Sequence, residues 1–339
     1  MRHDRGRPSI WVRGLALAGI SLLGLVAIVG SGGGAIGFPD CDPPICSDGP
    51  PPPPRPSAAV QPAYVTALVG TPVTFTALSS NIPGTLSYQW RRAPGIGSSF
   101  VEIPGATGKS YSLPSVNLGD DQAVFLVTVT GSQGAVPSLI AHLAVSATPG
   151  LVFEDSEFRP ADWLVSPIAD PGQVPFVHTD ERITTGGNPG AFRKMVFEVP
   201  QGAGSSRLFY TSPSSTYDPA TQGAIYVIDY SEDCIALQNS QTTNTVSNLV
   251  IEQGGRRYLS NTNGDCVLST WSAVASRASL GVTDFRLFDG PACNAGESCP
   301  NFSSSASPMR FGYWRIAFGA PGDVVAHGID NWKVTVWRR

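Results

Sequence analysis

The sequence predicts an all-β protein made of two β-sandwiches behind an export segment and a proline-rich linker. Composition is the first observation: only 14% of the 339 residues are charged, while 37 are Gly and 30 are Pro. Charge is well below the ~25% of a typical soluble chain, so a Glu/Lys-rich helical protein is excluded. The second is a series of short alternating apolar runs bounded by turn residues, the pattern of half-buried strands. The third is that no window holds a 3.6-residue apolar spacing for three turns free of Gly, Pro or β-branched residues.

The N-terminus predicts export. A basic stretch precedes the apolar run of residues 14–30, followed by small residues, the pattern of a secretory signal. The same run is near the minimum length for a membrane span, so residues 1–35 read as a cleaved signal peptide or an anchor, the only expected membrane contact. Removing this segment's four Arg and one Asp leaves 18 basic and 25 acidic side chains, a net charge of −7. No basic stripe remains, and phosphate neutralisation requires one, so nucleic acid is not an expected partner. Residues 36–58, with the proline run 50–54, predict a semi-rigid spacer.

Export implies an oxidising compartment, and the six cysteines form an even set. Fifteen connectivities are formally open. Short spacings favour Cys41–Cys46 and Cys293–Cys299, which leaves Cys234–Cys266. Zinc is disfavoured because no CxxC occurs and no histidine neighbours a cysteine.

Residues 59–147 contain strand-like runs at 72–78, 86–92, 110–116, 123–131 and 139–147, enough for one sandwich. The carrying segments are Gly70 before "PVTFTA", "YQW" at 88–90, "IPGATGKSYSLPSV" and "DDQAVFLVTV". On these, the stretch resembles a bacterial immunoglobulin-like domain. The resemblance places Asp121, Ala123, Phe125 and Val127 where the family has an Asp-x-Gly/Ala-x-Tyr-x-Cys strand. It implies that Ala77 and Val127 replace the inter-sheet disulfide beside Trp90.

Residues 148–339 hold further runs at 150–158, 191–199, 207–212, 224–232, 248–260, 283–289, 310–319 and 329–337, the strand density of a jelly roll. The segments "EDSEF" with Trp163, "TTGGNPGAFR", "GAIYVIDYSED" and "HGIDNWKVTV" carry a likeness. This half resembles the concanavalin A-like and laminin G-like jelly rolls and carbohydrate-binding modules of that shape. The likeness implies that Asp330 joins acids of the first strand, Glu154 and Asp155, around a structural calcium with carbonyls of the "TTGGNPG" segment. Capping a turn or pairing with arginine is the alternative for Asp330.

Catalytic signals are weak. The "DYSED" cluster (229–233) reads as a solvated strand end, no Glu-x-Asp-x-x-Glu strand of sandwich glycosidases occurs, and no Gly-x-Ser-x-Gly occurs. His142, His178 and His327 read as structural. Sugar stacking would need exposed aromatics, for which Tyr313, Trp314 and Tyr230 are candidates. Asn294, in the clipped loop 289–305, is a further candidate contact. The expected function is therefore an exported, non-catalytic binding or adhesion protein for a glycan or another cell-envelope component. A sandwich-class polysaccharide hydrolase or lyase, or a structural spacer, is the alternative.

Overall fold

The computed structural model describes residues 54–168, 177–199, 205–238, 244–261, 264–293 and 299–338. The export segment, Cys41–Cys46 and Asn294 lie outside them. The described residues are all-β apart from a single α-helical turn, Pro219–Gln222, and three 3₁₀ turns.

The first sandwich uses β1 (Ser57–Gln61), β2 (Tyr64–Leu68), β3 (Val73–Ser80), β4 (Ser87–Ala93), β5 (Val101–Glu102), β6 (Ser110–Leu113), β7 (Val124–Gly131), β8 (Gly134–Pro137) and β9 (Ala141–Ser146). One sheet has the order β1-β3-β6. The other has the order β2-β9-β7-β4-β5, with β8 paired to β7. The chain passes from one sheet to the other between β1 and β2, and β2 then runs parallel to β9. This is an immunoglobulin-like sandwich. Period-2 alternation sends Phe75, Ala77, Trp90, Phe125 and Val127 inward, all at 1% exposure or less. They share one core cluster, so apolar contact joins the two sheets beside Trp90, as the sequence predicts. The Trp90 indole N–H donates to the Gly108 carbonyl at 2.9 Å, which satisfies its buried polar end.

The second sandwich uses β10 (Leu151–Asp155), β11 (Leu164–Ile168), β12 (His178–Gly187), β13 (Gly190–Glu198), β14 (Ser205–Tyr217), β15 (Ile225–Gln238), β16 (Asn244–Gln253), β17 (Arg256–Ser260), β18 (Gly264–Asp265), β19 (Ser272–Leu280), β20 (Phe285–Leu287), β21 (Met309–Phe318) and β22 (Val324–Arg338). One sheet runs β12-β13-β22-β15-β19, with β10 also on β22. The facing sheet runs β11-β14-β21-β16-β17-β20, with β18 on β16. The closing strand β22 is central: β15 flanks one side, and β13 and then β10 flank the other. Ile329, Trp332, Val334 and Val336 face the core, as their alternation predicts. Cys234–Cys266 and Cys293–Cys299 are both bridged.

Three expectations are corrected. The 248–260 run is not one strand; Gly254 and Gly255, with φ of +57° and +74°, fold it into the β16–β17 hairpin. The "DYSED" segment is not a solvated strand end, because β15 continues to Gln238 and Glu232 is buried. Tyr313, Trp314 and Tyr230 are also buried, at 0%, 6% and 3% exposure. Tyr313 stacks on Tyr210 between the sheets, whereas Trp314 packs on the opposite face of its strand with Phe209 and Phe288. Both faces of β21 are covered, so neither ring of "YW" offers a sugar platform.

The core of this sandwich is also charged. Arg315 of β21 and Glu232 of β15, both fully buried, bridge the sheets at 3.1 Å. Ser247 accepts from Arg315, and the Tyr230 hydroxyl donates to Glu232. A buried pair of this kind is costly unless further hydrogen bonds satisfy it; these two offset part of that cost, and the Arg315 Nε has no partner.

His327, fully buried against Phe197, has no partner for either ring nitrogen. Burial, aided by Arg315, pushes its pKa down to about 3. The unfolded chain takes this proton near pH 6.5 and the native chain does not. Stability from His327 is thus complete above about pH 6.5 and is lost as pH falls toward 3. The loss at about pH 5 is roughly 2 kcal/mol. His327→Leu should remove that acid sensitivity and, with no orphaned ring nitrogens, add about 1 kcal/mol or more at neutral pH. Urea unfolding of both proteins at neutral and mildly acidic pH checks this.

Candidate functional site

The two sandwiches meet through polar groups. Alternation along β15 turns Tyr230 and Glu232 inward, leaving Asp229 facing the first sandwich. Its Oδ1 accepts from the Thr66 hydroxyl of β2 and from the Ser279 backbone N–H of β19, both at 2.7 Å. Its Oδ2 accepts from the Trp337 indole N–H at 2.7 Å. Burial pushes the Asp229 carboxyl above its ordinary value, while these three donors hold it down. Nearby, the Tyr226 hydroxyl donates to Asp121 at 2.5 Å, and Asp121 also accepts from the Val145 N–H. The Ser146 hydroxyl donates to the Arg338 carbonyl at 2.7 Å.

Beside these contacts lies a cleft of about 610 Å³ with walls from both sandwiches. The register of β2 on β9 sets Tyr64 next to His142, and their rings stack at 4.6 Å and 4°. The Arg277 guanidinium of β19 lies 3.9 Å from the centre of the Tyr64 ring, a cation–π contact. Arg277 also approaches Asp284 at 3.7 Å, while its Nε has no partner. Burial, and then the charge of Arg277, lowers the His142 pKa, which favours the neutral imidazole. Asp284 is the only carboxylate on the cleft wall among the described residues, and it also accepts from the Gly281 N–H at 2.8 Å. The wall therefore combines aromatic faces, hydrogen-bonding groups and one guanidinium.

Almost nothing local in the sequence marks this site. Thr66, Asp229, Arg277 and Trp337 are separated by long stretches of chain, so no spacing pattern links them. The one local sign was Asp229 within "DYSED".

The expected calcium ligands lie elsewhere and do not form one cage. Glu154 is exposed and pairs with Lys333 at 3.6 Å. Asp155 Oδ1 accepts from the Glu157 and Phe158 N–H groups at 2.7 and 2.9 Å. Its Oδ2 accepts from the Trp163 indole at 2.6 Å. Asp330 is buried at the β12–β13 turn, where the N–H groups of Asn188 and Asn331 donate to it. Asn331 holds a left-handed φ of +50° and also donates to Asp233 at 2.7 Å. Burial pushes the Asp330 carboxyl upward against the two backbone donors, and Asp233 and Asp155 push the same way. Hydrogen-bond donors face these oxygens, whereas calcium needs six to eight free oxygen ligands. This donor set does not fit the ion. The glycine-rich turn does receive an anion through its backbone, and that anion is the chain's own Asp330. Among the described residues no group of three or more His, Cys, Asp or Glu is placed to hold a metal.

No protein-family profile matches the chain, and no curated protein matches it. Solved structures that are similar include the N-terminal four Ig domains of Dscam1 isoforms 4.44 and 7.44. Identity is 20% and 22% over 26% of this chain, at a TM-score of 0.21 in each case. The match spans only 20% of the length of those chains. No helix among the described residues is long and apolar enough to cross a membrane.

The β12–β13 turn yields a direct test. A Cβ on Gly187 would sit 2.6 Å from Asp330 Oδ2 and 2.7 Å from the Ala191 carbonyl. Gly187→Ala should cost about 1–3 kcal/mol through overpacking. EDTA should leave the unfolding midpoint of the wild type unchanged. Denaturant melts with and without chelator measure both.

Proposed function

We propose that the chain is an exported, non-catalytic binding protein that takes a glycan or another cell-envelope component in the cleft between its sandwiches. The cleft itself carries this reading. Sites between domains are common places for ligand recognition, and here Tyr64, His142 and Arg277 are brought to one wall by strands of both sandwiches. Hydrolysis of a glycosidic bond uses two carboxylates about 5–9 Å apart. Among the described residues this wall carries a single carboxylate, engaged by Arg277 and Gly281, which favours binding over chemistry.

Two features support an exported setting. The disulfides Cys234–Cys266 and Cys293–Cys299 suit an oxidising compartment, and the basic and apolar N-terminal sequence suits a secretory signal. In this reading the second sandwich is a concanavalin A-like or laminin G-like jelly roll that presents the cleft jointly with the immunoglobulin-like domain. Any membrane attachment runs through the N-terminal segment.

A glycan array probed with the purified protein, beside its Arg277→Ala variant, tests this reading. The wild type should bind a defined set of glycans. Loss of the guanidinium should weaken that binding about tenfold, the value of a charged hydrogen bond, with the unfolding midpoint retained as a control. Absence of binding across a broad array would overturn the glycan reading. Equal binding by Arg277→Ala would place the site elsewhere.

A further inference from the structure

The polar groups on the wall of the junction cleft divide into those already bonded and those left open. The Ser279 hydroxyl pairs with that of Thr66 at 2.8 Å and lies 3.3 Å from the Val65 carbonyl. The Tyr226 hydroxyl donates to Asp121 and accepts from the Gln122 amide. These groups fix the wall and leave little for a ligand.

Arg277 and Asp284 differ from them. Arg277 makes no hydrogen bond with the described residues, and its nearest Nη lies 3.7 Å from Asp284 Oδ1, beyond hydrogen-bond length. The Arg277 Nε is buried and out of a ligand's reach, but the side chain as a whole is 21% exposed and that of Asp284 35%. The Tyr64 ring, 3.9 Å from the guanidinium carbon, holds the planar fork in place. Asp284 is held through Oδ2, which accepts from the Gly281 N–H, whereas its Oδ1 accepts no hydrogen bond from the described residues. A fixed donor and a fixed acceptor thus stand side by side in the cleft, too far apart to satisfy each other.

We propose that this pair reads the hydroxyl groups of an uncharged saccharide, with Arg277 donating and Asp284 accepting. This rests on the cleft reading above and adds the class of glycan. A sugar hydroxyl sits about 2.8–2.9 Å from each of its partners, so one hydroxyl spans the 3.7 Å gap. It accepts from the guanidinium and donates to the carboxylate at once. The exposed Thr283 hydroxyl and the neutral His142 imidazole, on the same wall, can each serve a further hydroxyl. Charge decides against acidic sugars. A ligand carboxylate gains from Arg277 but meets Asp284 beside it, Asp121 behind Tyr226, and a chain whose residues 36–339 carry a net charge of −7. A cationic ligand is opposed by Arg277. An uncharged polyol avoids both penalties and uses both groups.

Matched probes test this on the ¹⁵N-labelled full chain: the methyl glycosides of glucose, galactose and mannose, each beside its uronate. Binding is followed at the backbone amides of Ser279 and Asp284. At least one uncharged glycoside should shift them saturably, and bind about fivefold or more tighter than its uronate. Asp284→Asn keeps an acceptor for the Gly281 N–H. It should weaken the uncharged glycoside about fivefold and erase the preference over the uronate. An unchanged preference in Asp284→Asn would make Asp284 a turn cap alone and overturn the proposal. Uronates that bind as tightly as their uncharged partners would also overturn it, with the cleft reading intact. If neither kind moves these amides the proposal fails, and the array separates the two readings: binding lost in Arg277→Ala keeps the cleft, and silence across the array removes it.

Discussion

The hydrogen bonds that Asp229 accepts join the two sandwiches at their junction. The carboxylate leaves the outer face of β15, takes a hydroxyl from the first sandwich and two N–H groups from the second, and has no cation in direct contact among the described residues. An uncompensated buried charge would be expensive, and three directed donors offset that cost. Hydrogen bonds of this kind have fixed directions, so they set an angle between the sandwiches where an apolar contact would allow sliding. Tyr64 comes from one sandwich and Arg277 from the other, and their 3.9 Å approach depends on the same junction.

The second sandwich follows a similar pattern inside. Its sheets are joined by broad apolar contact, but also by Arg315 with Glu232 and by Arg193 lying among Phe158, Trp163 and Tyr210. Apolar area supplies most of the stabilisation, and the buried polar groups add contacts with fixed geometry between the sheets. The β12–β13 turn works in the same way: Asp330 binds the backbone of residues it meets only in the folded chain. Polar groups at the junction, in the core and at this turn thus specify position, while apolar residues supply the driving force.

The sequence made the architecture legible because period-2 alternation is local. Most strands of both sandwiches, the closing strand and the Cys293–Cys299 disulfide follow from short windows, whereas Cys234–Cys266 was reached only as the remaining pair. Strands with few apolar residues, such as β12 with its "HTDERITTGG", left no such trace and were missed. The sites were far less legible. Tyr313 and Trp314 must point to opposite faces of β21, but local reasoning could not reveal that Phe209 and Phe288 cover the outer face. Asp229 and Glu232 are close in sequence yet serve the junction and the core, a division set by elements more than 80 residues away in Arg315 and more than 160 in Thr66. Which side chains remain unpartnered after folding, as the buried Trp332 indole does, is a property of the whole chain.

The central claim is that the two sandwiches act as one body with a shared cleft. Backbone residual dipolar couplings of the aligned protein test it most directly. One alignment tensor should fit residues of both sandwiches with the same magnitude and rhombicity. Two distinct tensors, one for residues 57–146 and another for 151–338, would show the sandwiches reorienting independently and would contradict the account.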